Sequence, residues 1–180
     1  MFTPLNISEI KADAKMKISD GWKALILGSL VLIFSEVLSS ITIQNSYYIA
    51  DGQYLTVSTP TSFSSLFSLL VAPVVTVGAT KYFLNFANGR EFGTNDIVYA
   101  FNNYLKILGA MLWKSLFEFL WSLLFVIPGI IKGIAYSFTP YILAENPNVG
   151  YREAIKISMV LTDGRKGELF LLSLSFIGWF

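Results

Sequence analysis

The chain has 180 residues, of which 54% are hydrophobic and only 14% charged, where an ordinary soluble domain carries about 25% charged residues. It contains no His and no Cys, which excludes disulfides, Cys- or His-ligated metals, iron–sulfur clusters and any thiol or imidazole-assisted nucleophile. A formal net charge of +1 provides no global attraction for nucleic acid.

The apolar excess points to the bilayer as the solvent of a single membrane domain over residues 1–180. A soluble helical protein is the competing reading. However, only a large protein can surround helices that are apolar all round.

Residues 1–21 are expected to form a cytoplasmic tail. Ile7, Ile10, Ala14 and Ile18 fall near helical spacing, with lysines on the other face. Such a helix suits a membrane interface, where lysines meet anionic lipid headgroups, or it is a solvated extension of the first span. Four apolar runs follow, at about 22–43, 63–86, 105–127 and 130–144. Roughly 20 apolar residues are needed to cross, so the first three qualify on length. The fourth, about 15 residues long, either crosses in a thinned bilayer or pairs with the third as a re-entrant hairpin. A last run over 167–180 is too short to cross alone. The predicted fold is therefore all-α: a polytopic transmembrane helical bundle of four to five membrane helices with short amphipathic interfacial helices.

Between the spans, Gln44 to Ser62 carries no Lys or Arg. Asp51-Gly52 there is able to close a small hairpin, and Tyr47, Tyr48 and Tyr54 suit an interfacial aromatic belt. Asn88-Gly89 signals a turn, followed by a short helix from Asp96 to Tyr104. Asn146-Pro147-Asn148 breaks the chain before an amphipathic helix from Tyr151 to Leu161, which Asp163-Gly164 ends. Lys11, Lys15 and Lys17, then Arg90, then Arg152, Lys156, Arg165 and Lys166 occupy alternate loops. The positive-inside rule thus places the N-terminal tail, the second loop and the fourth loop in the cytoplasm. The first run is too long, and lacks small residues at its end, for a cleaved signal peptide.

Ionisable residues inside spans are candidates for function because their burial in hydrocarbon is costly. Lys81 lies near a span end and is able to snorkel. Glu36 and Glu118 lie at similar depth, roughly 20 Å from the cytoplasmic side at 1.5 Å per residue. Lys114 precedes Glu118 by four residues and is able to pair with it, and Lys132 enters from the other side. Glu36, Lys114, Glu118 and Lys132 are thus a candidate buried polar cluster facing the bundle interior. Charge pairs that only hold helices together, or snorkel outward, are the alternative. Pro73 and Gly78 are expected to interrupt the second span, Pro128-Gly129 to turn the chain into the fourth, and Pro140 to break its far end. Gly129 and Gly133 make a G-x-x-x-G spacing, a helix-contact signal of low specificity.

Several stretches carry a resemblance. They are Ile127-Pro128-Gly129-Ile130-Ile131-Lys132, the run from Tyr136 to Pro147, Glu153-Ala154-Ile155 with Ser158, and Leu174 to Trp179. Together with Ile10-Lys11 through Trp22, Gly78 to Leu84, and Phe101, they resemble the bacterial integral-membrane family catalogued as domain of unknown function 975, over essentially the whole chain. The resemblance implies a bacterial cell-membrane location. It also implies a further span after Phe-Ile-Gly-Trp, so the last helix is expected to be incomplete at Phe180. It carries no catalytic residues.

No phosphate loop, metal cluster, triad or paired-carboxylate motif occurs, and Gly164-Arg165-Lys166-Gly167 is too short to cradle phosphate. The expectation is a non-enzymatic membrane protein without cofactor or metal, whose partners are the lipid bilayer and another membrane protein. It would be an accessory subunit, in transport or in tolerance to membrane-active peptides. The alternative is a small-molecule transporter or substrate-binding subunit built on the buried charges. A third reading is lipid binding through the basic interfacial helices.

Overall fold

A computed structural model describes residues 6–50, 53–124 and 126–177. The chain is mostly helical, with a small two-stranded sheet that the all-α expectation did not contain.

Helix α1 runs Ile7–Ser39. The Asn6 side chain accepts the Glu9 N–H at 3.4 Å to cap its start. The tail and the first span are one helix, kinked at Gly21 (φ −120°, ψ 23°). The helix stops four residues before the expected span end, because Thr42–Ala50 forms strand β1. β1 pairs antiparallel with β2, Gln53–Pro60. The expected hairpin is therefore present and much longer than a turn. Asp51 and Gly52, assigned to its tip, lie outside the described residues. The Ile, Tyr, Thr and Val residues of the two strands suit a pleated ribbon, and Tyr48 and Tyr54 meet edge-to-face across it at 5.6 Å.

The second expected span is two helices. α2, Ser62–Leu70, and α3, Ala72–Ala87, meet at Val71 with a bend of 45°. Pro73 sits in the first turn of α3, where its missing N–H is harmless. Gly78 does not interrupt the helix. It is buried inside α3, where a Cβ would lie 2.1 Å from the Ile97 carbonyl oxygen. That contact belongs to α4, Thr94–Asn102, which folds back along α3. Asn88 ends α3 and Gly89 takes φ 65°, as the turn signal predicts.

α5 spans Tyr104–Leu124 and α6 Val126–Tyr136. The two helices pack against each other, and Pro128-Gly129 does not separate them. Both residues lie within the first turns of α6, and a Cβ on Gly129 would meet the Ser122 backbone at 3.0 Å. Gly129 thus sets the α5–α6 approach, while a Cβ on Gly133 would meet nothing. The expected fourth span is not one helix. It breaks at Ser137-Phe138, and α7 covers Thr139–Glu145. Pro140 sits in the first turn of α7 rather than ending a span. α8, Tyr151–Thr162, is amphipathic as predicted, but it packs along α5 and α6 inside the bundle. Asp163 caps it and Gly164 takes φ 71°. α9 covers Lys166–Ile177.

Among the described residues, Gly21–Ser39 alone is long and apolar enough to cross a membrane by itself, and the bent pair α2–α3 passes jointly. α5 is 21 residues long and carries Lys106, Lys114 and Glu118. The main core joins α3, α4, α5, α7 and α8 through Val74, Val77, Ala100, Ile107, Leu143 and Ala154. Small residues at these contacts let the backbones approach closely. A second cluster packs Ala135, Tyr136 and Ile155 against Trp113, Phe117 and Trp121.

Candidate functional site

The four charges expected to gather do so only in part. Lys114 and Glu118 lie one turn apart on α5 and pair at 2.8 Å, with side chains 17% and 30% exposed. Lys132 on α6 sits over the Trp121 ring, 5.0 Å from its centroid, which is cation–π range. Glu118 also lines a shallow groove with Phe119, Ser122, Gly129 and Gly133, so this pair and the α5–α6 hairpin form one unit. Glu36 does not join them. It is exposed on α1, whose main packing partners are α2 and α3. Its carboxylate has no partner among the described residues, and Ile33, Phe34 and Val37 around it are exposed as well.

Two polar arrangements were not foreseen. The first repairs the break between α6 and α7. A broken helix leaves a carbonyl and an N–H without intrahelical partners. The Ser158 hydroxyl, fully buried on α8, donates to the Ala135 carbonyl at 2.7 Å and accepts the Phe138 N–H at 3.2 Å. One side chain thus satisfies both ends of the interruption, which must be met inside the protein where water is absent. Thr162, also buried, donates to the Ser158 carbonyl at 3.0 Å. Ser158 was part of the resemblance, but nothing local in the sequence tied it to residues 20 positions earlier.

The second arrangement ties α3, α4 and α7. Lys81 does not snorkel to solvent. Its ammonium lies 3.4 Å from the Tyr99 ring centroid and donates to the Ala144 carbonyl at 3.4 Å, near the C-terminus of α7. A cation is favourable at that end of a helix dipole. Burial, and then the Glu145 carboxylate, raise the Tyr99 pKa above its ordinary 10.0, so the phenol stays protonated. Beside it, Arg90 pairs with Glu145 at 2.8 Å, and Lys106 donates to the Asn148 side chain at 3.1 Å. The Asp96 carboxylate accepts from Asn85 and from the Gly93 N–H, both at 3.0 Å. These contacts fix helices to one another. Among the described residues no group of three or more Asp or Glu is placed to hold a metal ion.

Lys166 and Gly167 share a groove with Ile127 and Ile130. Lys166 pairs with Asp163 at 3.0 Å, and Arg165 lies 3.5 Å from Glu168.

A family model described as "Protein of unknown function (DUF975)" matches residues 1–132 and 123–180. The chain belongs to this family. The stretches that carried the resemblance now have places in the DUF975 fold. The run from Tyr136 to Pro147 is the α6–α7 break and α7 itself, Ser158 is its repair, and Gly78 is the seat of α4. No curated protein and no solved structure matches the chain.

Proposed function

We propose that this DUF975 protein is a multi-pass protein of the bacterial cell membrane, with its N-terminal tail in the cytoplasm, and that it acts without catalysis as a subunit binding another membrane protein. Glu36 carries this reading. A carboxylate on an apolar, outward face of a spanning helix is costly unless something pairs with it. The apolar window of α1 is only 11% buried, and among the described residues the bundle turns no cation toward Glu36. A basic or hydroxyl-bearing helix of a second protein would satisfy Glu36 and cover Ile33, Phe34 and Val37. An accessory role in transport or in tolerance to membrane-active peptides fits such a subunit. The transporter alternative ranks below it, because Lys114 and Glu118 neutralise each other on one helix and Glu36 stands apart.

The absence of native cysteine makes the test clean. A photo-crosslinker at Val37, in native membranes, is expected to yield one stoichiometric heteromeric adduct that Glu36→Lys abolishes and Glu36→Gln weakens. Adducts to lipid alone, unchanged by Glu36→Lys, would overturn the reading. Single cysteines at Lys15 and Ser58 are expected to label from opposite sides of the membrane.

A further inference from the structure

The surface where α6, α8 and α9 meet is divided into two cavities of different character. The first, about 460 Å³, lies between α6 and α8, with Lys132, Lys156 and Lys166 in its wall and one acid, Asp163. The second, about 500 Å³, is a trough between α6 and α9 walled mainly by Ile127, Ile130, Ile134 and Phe170. Ile131 and Lys166 line both, so the two are continuous. Asp163 is already occupied: it accepts from Lys166 at 3.0 Å, and that hydrogen bond and charge hold its carboxyl below the ordinary range. Lys132 rests over Trp121. Lys156 is exposed and has no anionic partner among the described residues. The wall therefore carries two net positive charges at one end of a long apolar trough.

We infer that this continuous groove binds an anionic phospholipid, its headgroup phosphate on Lys156, Lys132 and Lys166 and an acyl chain along Ile127, Ile130, Ile134 and Phe170. Charge complementarity selects an anion. The trough selects one with a long apolar tail, because exposed apolar surface of this extent next to the cations matches neither a free phosphate nor a soluble metabolite. Basic pockets between membrane helices hold anionic headgroups in this manner. A bilayer presents such lipids at high local concentration, and a phospholipid delivers phosphate and tail together. This assignment differs from lipid binding by the N-terminal lysines, which lie on α1, and it rests on the membrane reading above.

The test uses the full chain purified in mild detergent, with phosphatidylglycerol or phosphatidylcholine added and retention read by native mass spectrometry. The wild type is expected to retain phosphatidylglycerol at least about tenfold more strongly than phosphatidylcholine. Each lysine near a headgroup is worth about fivefold. Lys156→Gln alone should therefore lower the preference severalfold, and the Lys132, Lys156 and Lys166 triple Gln variant should abolish it. Lys156→Arg keeps the charge and should keep the preference. Ile130→Trp, which fills the trough, should reduce retention of phosphatidylglycerol while inorganic phosphate fails to compete in the wild type. The Lys11, Lys15 and Lys17 triple Gln variant should behave as wild type. No headgroup preference overturns the inference. So does a preference lost equally in the N-terminal triple variant, competition by inorganic phosphate, or occupation of the trough by a second copy or an acidic helix. Carbonate extraction of the wild type is scored separately, so release from membranes would sink the membrane reading independently.

Discussion

The two halves of the molecule are held together by different means. α1 to α4 pack mainly by shape, with the Tyr82–Ala24 and Asn85–Asp96 hydrogen bonds beside it. Gly28 faces the Tyr82 and Phe83 rings, Gly21 faces Phe86, and Gly78 faces the Ile97 carbonyl, each too closely to admit a Cβ without movement. Tyr82, Phe86 and Phe92 complete the contact edge-to-face. α5 to α9 pack by polar satisfaction. The chain is interrupted between α6 and α7, and Ser158, Thr162, the Lys114–Glu118 pair and Lys132 over Trp121 meet the groups that the interruption and the charges leave open. The contact of α3 with α4 lies along helix interiors, which bring no orphan backbone groups and need only complementary surfaces. Broken helices must import donors and acceptors from a neighbour.

The sharpest challenge to this contrast is Gly78→Ala. Its Cβ would meet a backbone oxygen that cannot rotate away, so a loss of about 3 kcal/mol is expected from overpacking, read as a lowered thermal midpoint in detergent. A loss below about 0.5 kcal/mol would mean that shape does not hold α3 to α4. Ser158→Ala comes next, at about 2 kcal/mol, because it orphans a buried N–H and a buried carbonyl at once. Thr162→Val should cost less, since the Ser158 carbonyl it abandons remains in the α8 ladder. Equal costs for the two would remove the special place of Ser158.

Smaller effects sharpen the picture. Gly21→Ala meets only the far edge of the Phe86 ring, which can turn, so a cost under about 1 kcal/mol separates it from Gly78→Ala. A double-mutant cycle of Lys114→Gln and Glu118→Gln should give a coupling of about 1 kcal/mol, in keeping with a part-buried pair; additive effects would make the pair incidental. Least of all is Asp163. Its folded pKa is depressed below 3.8 by Lys166, so its contribution is present above that value and fades as pH falls through the lower folded value. The wild type and Asp163→Asn should differ slightly in thermal midpoint at pH 6 and converge in strong acid. A difference that grows on acidification contradicts the assigned sign.

Much was readable without the fold. The helices around Ile7 to Ser39 and Tyr151 to Thr162, the turns at Asn88-Gly89 and Asp163-Gly164, and the Lys114–Glu118 pairing all depend on neighbours within a few residues, where periodicity and side-chain reach suffice. The hairpin was under-read, although its run of β-branched and aromatic residues is the composition of strands. The breakers were found but partly misassigned. Pro73, Pro128 and Pro140 each sit in the first turn of a helix, because proline needs no N–H partner there, and the break at Ser137-Phe138 falls where Pro140 has no N–H for the Tyr136 carbonyl.

The sequence alone determined an apolar, predominantly helical chain of the DUF975 family and a first apolar run long enough to cross a membrane, since composition and short-range periodicity act along the chain. Only the tertiary structure decided which charges meet. Glu36 faces outward because α1 rotates its other side onto α3. Lys81 turns inward because α4 and α7 bring it a ring and a carbonyl. Ser158 is structural because α8 lies across a gap some 20 residues distant. Each of these depends on the rotation and crossing of packed helices, which no spacing within one segment encodes.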